Sequence, residues 1–309
     1  MKKSFEIIIL CGIFLWSSCE EEYIPSNQNA TPQIVVEAYI EKSNASIPTY
    51  AIITRSLGFY STLDRAAINE TFVHNAEVVL HNGNDSVIMQ EICLDNLPQE
   101  WKAIIAQTLG YNLDSSLINF CAYVDLGHKI KGEAGKEYIL RIKSGTTDVS
   151  AKTTIPEFVP LDSVWFEKTP GGDIDSLAQM FCIINDPAST SNYYRYFTAG
   201  ENEPLIPNFA SVTDDVFFNG QKFKFALQKA MSPEEDFSIN SGFFKKGDTI
   251  QIKWCTIDRE HFDFWLTLEV SRTRQGPFAT YVRINSNVEN GLGIFGGQNC
   301  NYYTFTVTK

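Results

Sequence analysis

Seven short runs of β-branched and aromatic residues divide the chain between Ile34 and Ile155, each closed off by polar turn residues. They are Ile34–Ile40, Tyr50–Arg55, Glu77–His81, Val87–Cys93, Cys121–Leu126, Glu137–Lys143 and Asp148–Ile155. Residues of this kind suit a pleated, half-buried surface, and their spacing predicts an antiparallel β body. Asn82-Gly83-Asn84-Asp85 lies between two of the runs. An Asn-Gly pair there is a strong hairpin signal, because both residues tolerate positive φ.

A helix is expected to interrupt this body over 96–110. Asn96 can cap it and Pro98 stands at its start, while Trp101, Ile104, Ile105, Thr108 and Leu109 fall on one helical face. Gly110 is a natural stop. The second half predicts strands at 163–168, 178–185, 193–199, 222–229, 249–255 and 301–308, and a helix over 258–272. That helix carries Phe262, Phe264, Trp265, Leu266 and Leu268, a broad apolar face that predicts deep burial. The expected fold is mainly β, with two antiparallel sandwich-like domains and two short helices. The first domain, 33–156, is expected to be immunoglobulin-like or transthyretin-like. A linker covers 157–162, around Pro156 and Pro160, and the second domain covers 163–309.

Ahead of this lies an address. Lys2 and Lys3 precede an apolar run from Ile7 to Trp16, which as a helix spans roughly 15 Å, half a hydrocarbon core. That suits a secretory signal over 1–18 better than a membrane span. Ser17-Ser18-Cys19 then supplies small residues before a cysteine, as lipoprotein processing requires. Cys19 is expected to carry the lipid, and residues 19–32 to form a flexible tether. Glu20-Glu21-Glu22 reads either as a solvated stretch of tether or, by its resemblance to the surface-export signal of Bacteroidota lipoproteins, as a mark for the outer leaflet.

Charge narrows the partners. The formal net charge is −12 and no Lys/Arg stripe stands out, so nucleic acid is not an expected partner. The chemistry-bearing motifs are weak. Gly291-x-Gly293-x-x-Gly296 matches a dinucleotide fingerprint by letters, but no βαβ unit surrounds it. Those glycines are expected to serve tight turns and close backbone approach. His74, His81, His128 and His261 are scattered, with no HExxH, GxSxG or P-loop. Asp214-Asp215 and Glu234-Glu235-Asp236 lack calcium-loop spacing and read as solvated loops. No catalytic residue, cofactor or metal is expected, and no ligand is identified.

Removing Cys11 with the signal and acylating Cys19 leaves Cys93, Cys121, Cys182, Cys255 and Cys300. An exported protein lies in an oxidising compartment, where pairing is expected. Cys93 ends the strand before the inserted helix and Cys121 begins the strand after it, so these two are the first expected disulfide. Cys255 and Cys300 are the second, leaving Cys182 as a buried thiol. The alternative is that all five are small core hydrophobes.

Longer stretches carry a resemblance. They are Pro32–Glu37, Asn75–Leu80, Gly135–Leu140 running into Ala151–Pro156, Asp186-Pro187, Asn192–Arg195, Gly247–Thr249 and Gly291–Gly296. Their order and spacing resemble a family of Bacteroidota outer-membrane lipoproteins catalogued as domain of unknown function 4249. Ile294 stands where an aromatic is expected, and Gly297 where an Ala is. The resemblance carries over no catalytic residue. It implies a surface-exposed, lipid-anchored, non-enzymatic accessory to a TonB-dependent outer-membrane receptor in nutrient capture or uptake. A structural or adhesive surface protein is the alternative. Asp85-Ser86-Val87, Asp162-Ser163-Val164, Asp175-Ser176-Leu177 and Asp248-Thr249-Ile250 resemble the O-glycan acceptor pattern of Bacteroidota, with Ser86 and Ser176 best placed because they fall in turns.

Overall fold

The computed structural model describes residues 31–58, 61, 64–99, 102, 118–170, 175–201, 203–231, 236–238, 240–274 and 280–308. The expected signal peptide, Cys19, Glu20–Glu22 and most of the expected helix over 96–110 lie outside the described residues. No helix among the described residues is long and apolar enough to cross a membrane.

The chain is mainly β. Its strands are β1 (Ile34–Ser43), β2 (Tyr50–Arg55), β3 (Glu77–His81), β4 (Ser86–Ile88), β5 (Gln90–Cys93), β6 (Cys121–Val124), β7 (Glu137–Ser144), β8 (Thr147–Thr154) and β9 (Leu161–Lys168). There follow β10 (Leu177–Asn185), β11 (Tyr193–Ala199), β12 (Ile206–Asp214), β13 (Lys222–Leu227), β14 (Phe244–Lys245), β15 (Thr249–Ile257), β16 (Val288–Glu289) and β17 (Leu292–Thr306). Two α-helices are described, α1 (Arg65–Thr71) and α2 (Arg259–Thr273). The sequence signalled α2 but not α1, a single short helix with no buried residue and hence no apolar stripe to read.

An eight-stranded sheet in the order β12-β11-β15-β17-β1-β2-β6-β5 forms the spine. Strands from both halves of the chain share it. The join is the parallel pairing of β1 with β17, from Val35↔Leu292 to Ser43↔Cys300, while the other named strand pairs are antiparallel. Residues 157–162 do not stand apart from it. Val159 is buried, its N–H donates to Thr256 Oγ1 and its carbonyl accepts from Trp254 Nε1.

Two smaller sheets cover one face of the spine. The five-stranded sheet β16-β8-β7-β3-β4 packs over the β1 side. Ile34, Val36, Ala38 and Ile40 of β1 meet Val78, Leu80, Tyr138, Leu140 and Ile142 there. The second small sheet, in which β10 pairs with β9, β13 and β14, packs over the β15 side through Met180, Cys182, Phe244, Ile250 and Ile252. Alternation drives this arrangement. Every second residue of β1 points into the first core, which leaves Val35, Glu37, Tyr39 and Glu41 for the opposite face.

The Asn82-Gly83 hairpin forms, but only Gly83 has positive φ. Asn82 acts through its side chain, whose Oδ1 accepts from the N–H groups of Asn84 and Asp85. The helix expected over 258–272 also forms, one residue displaced, but it is not deeply buried. Only His261 and Phe262 are enclosed and Leu266 is 39% exposed. The helix rests on the sheet through His261, Phe262 and Trp265, while Phe264 and Leu268 face an open cleft.

Asp258 fastens this helix. Its Oδ1 caps the helix by accepting from His261 N–H at 2.8 Å, and its Oδ2 accepts from Gly297 N–H at 2.7 Å and Thr153 Oγ1 at 2.5 Å. Burial raises the Asp258 carboxyl to about 6, against the pull of those donors. A carboxyl raised in the folded state binds its proton more tightly there than in the unfolded chain. Its contribution is therefore fully present below the ordinary value near 4 and is lost as pH rises through about 6. Urea unfolding across that window tests this. Asp258→Asn should flatten the pH dependence, at reduced overall stability because the new amide faces the Gly297 N–H. An unchanged slope would contradict it.

Candidate functional site: a charged sheet face and the cleft beside it

The face of the eight-stranded sheet opposite the two small sheets, partly covered by α2, is unusually rich in charge for a sheet interior. Register puts Glu37, Tyr39 and Glu41 of β1 beside Tyr50 and Ile52 of β2 and Gly296 and Gln298 of β17. Beyond them on the same face come Tyr302, Lys253, Cys255, Phe197 and Arg195.

Two polar clusters form on it. In the first, Lys253 Nζ lies 2.6 Å from Glu41 Oε2, with the two side chains 13% and 6% exposed. Gln298 Nε2 and Tyr302 OH donate to the same carboxylate, so no oxygen of the buried charge is left bare. In the second, Arg195 is 3% exposed and, among the described residues, has no carboxylate within ion-pair distance. Its guanidinium stacks on Trp265 with 3.8 Å to the ring centroid, and its Nε donates to Ser211 Oγ. Ser211 Oγ in turn donates to Glu269 of α2.

His261 lies on the same guanidinium, with Nε2 at 3.4 Å from Arg195 Nη1. Arginine only donates, so Nε2 accepts and the ring proton sits on Nδ1. Burial first, and the Arg195 charge second, hold His261 well below its ordinary range, so the ring is neutral. Its Nδ1 and the Trp265 Nε1 are buried without a hydrogen-bond partner among the described residues. Gly296 sits against that ring: a Cβ there would come within 2.6 Å of Nδ1. The cluster fixes α2 on the sheet, and His261 is fully enclosed.

A cleft of about 900 Å³ opens beside the clusters, between α2, the first residues of β1 and β17, and residues 281–288. Val35, Phe264, Leu268, Ile284 and Leu292 supply its apolar wall, and Glu37, Asp263 and Arg283 supply charge. Its volume suits a drug-sized or oligomeric small ligand. Tyr281 at its mouth is 86% exposed.

The residues singled out from the sequence fall elsewhere. Cys93 pairs with Cys121 and Cys255 with Cys300, and both pairs join residues directly opposite on neighbouring strands. Cys182 is a buried free thiol, which burial raises to about 12. Gly291 follows Asn290 in the tight turn between β16 and β17, while Gly293 and Gly296 lie inside β17 and permit close approach to β1 and α2. Asp215 is not solvated. It is buried, and its Oδ2 accepts from Asn192 N–H. Glu234 and Glu235 lie outside the described residues. Ser176 is exposed in a turn; Ser86, expected in a turn, is instead the first residue of β4, and it is exposed, as are Ser163 and Thr249 in their strands. Sequence reasoning missed Arg195, Glu41 and Lys253, although charged residues inside strand-like runs were the available signal.

A family model described as Domain of unknown function (DUF4249) matches residues 20–302. No curated protein matches the chain.

Proposed function

The chain belongs to the DUF4249 family, and from that premise we propose that it is a lipid-anchored, non-enzymatic protein of the outer-membrane surface that serves a TonB-dependent transporter in nutrient capture. The observation that carries this reading is Ser17-Ser18-Cys19 followed at once by Glu20-Glu21-Glu22. Several acyl chains on Cys19, at about 0.8 kcal/mol per buried CH₂, hold the protein essentially permanently.

The position of the cleft supports a role at the membrane. Its lining begins at Val35, just after the tether. Residues 19–32 reach about 50 Å when fully extended, so a ligand in the cleft stays within that distance of the lipid surface. The tip between β12 and β13 offers Val216 and Phe217, which are 71% and 88% exposed. Adjacent exposed apolar side chains of this kind are suitable anchors for a protein partner.

Two experiments test the reading. Cys19→Ala should release the protein from carbonate-washed membranes, and replacing Glu20, Glu21 and Glu22 with Ala should protect it from protease added to intact cells. Retention of the Cys19 variant on membranes would refute the anchor, and equal shaving would reduce the acidic run to a spacer. A tagged wild-type protein should then draw a receptor barrel from solubilised native membranes. Recovery of none, with a deletion strain that takes up every nutrient normally but fails to adhere, would favour the adhesive alternative.

A further inference from the structure

At the β5 edge of the large sheet, four metal-ligating side chains converge away from the cleft. His74 Nδ1, a carboxylate oxygen of Glu91 and the sulfurs of Cys93 and Cys121 all lie within 4.8 Å of one another. They come from three segments: His74 from the stretch after α1, where Phe72 bridges to Thr54 of β2, Glu91 and Cys93 from β5, and Cys121 from β6. The Glu91 side chain is already oriented. Its Oε2 accepts from Asn75 N–H at 2.8 Å and Oε1 lies 2.5 Å from His74 Nδ1. Burial pulls its carboxyl upward, but the Asn75 N–H and His74 outweigh that and hold it below its ordinary value. The His74 side chain is 48% exposed and that of Glu91 21%, so an ion can reach them.

We propose that this cluster has two exclusive states: the Cys93–Cys121 disulfide, and a zinc-type site in which His74, Glu91 and the two thiolates hold a divalent ion. The ligand set is that of a tetrahedral site, two soft sulfurs with one imidazole and one carboxylate. Tetrahedral ligand atoms around zinc stand about 3.3–3.8 Å apart, so His74 and Glu91 part by roughly 1 Å and the sulfurs separate once their bond is absent. The chain is made with both thiols reduced. Binding the ion forms two metal–sulfur bonds and releases two protons. A disulfide-bearing oxidant then accepts the two electrons as the Cys93–Cys121 bond forms. Its own disulfide breaks into two thiols that take protons from solvent, and the ion leaves. The ion would thus hold β5 and β6 together before the covalent bond does.

The test uses the full mature protein, reduced with a phosphine, and Co²⁺ as the probe. Reduced wild type should bind one Co²⁺ at this site, with the thiolate charge-transfer and tetrahedral d–d absorptions, and Zn²⁺ should displace it. The oxidised protein should show neither band. His74→Ala leaves the disulfide and the strands intact and should weaken Co²⁺ at least tenfold, while Cys93→Ser should roughly halve the charge-transfer band, because Cys121 alone then supplies a thiolate. Equal binding by oxidised and reduced protein, or full affinity in His74→Ala, overturns the proposal. Should reduction unfold the chain, metal must restore the far-UV signal of wild type and fail to restore that of His74→Ala; any other result also overturns it.

Discussion

Gly293→Ala should lower the thermal midpoint by about 10 °C, while Gly83→Ala lowers it by only a few degrees, following the midpoint shift per kcal/mol for chains of this size. Both glycines have positive φ, +109° and +90°. An alanine is strained at either, by roughly 1 kcal/mol where nothing else intervenes. Gly83 stands at an open hairpin tip with no atom within 4 Å of a built Cβ. At Gly293 the Cβ would lie 1.9 Å from the carbonyl oxygen of Val36. That oxygen is backbone of β1, opposite Gly293 in the parallel ladder that joins the two halves of the spine, so it cannot turn aside as a side chain would. The strands must separate or β17 must change its path, and either response disturbs the core around Val36 and Phe295. The combined penalty is roughly 4 kcal/mol, at the upper end for single substitutions. Calorimetry of both variants decides it. A Gly293→Ala midpoint within a degree or two of the Gly83→Ala value would show that the close approach carries no weight.

That pairing also marks where reading the sequence stops. Strands with clean alternation, such as Ile34–Ile40 and Glu137–Lys143, were legible because each buries one face. β12 was not. Its run Ile-Pro-Asn-Phe-Ala-Ser-Val-Thr-Asp is interrupted by Pro207 and leaves Phe209 73% exposed, so no two-residue period survives. The expected last strand began at residue 301, yet β17 starts at Leu292, because glycines there look like turn residues when their backbone contacts are unknown. Parallel pairing of the first strand with the last has no connecting turn to announce it. The candidate site suffers from the same problem. Arg195, Glu41 and Lys253 are far apart in the chain and meet only through the register of β11, β15, β17 and β1. The Cys93–Cys121 disulfide was legible because it joins strand ends whose order could be read along the chain, whereas Cys255 and Cys300 meet inside β15 and β17.

Replacing Cys255 and Cys300 together with alanine should cost about 4 kcal/mol, the chain-entropy value for a loop of their 45-residue separation. The corresponding change at Cys93 and Cys121, separated by 28 residues, should cost slightly less, about 3.6 kcal/mol. Location widens the gap. Cys255 and Cys300 are fully buried in a cluster with Ile257 and Phe262, where two missing sulfurs leave unfilled volume under α2. Cys93 and Cys121 sit beside Phe72 and Phe120 at the sheet edge and are 8% and 3% exposed. The mechanism makes a second prediction. A cross-link acts largely by restricting the unfolded chain, so its removal lets that chain expand and expose more surface. The urea m-value should therefore rise while the midpoint falls. A lower midpoint at constant m would assign the loss to packing around Phe262 and not to the cross-link. An unchanged midpoint, or quantitative alkylation of Cys255 and Cys300 in the denatured, unreduced protein, would mean that the covalent bond is not what holds β15 to β17.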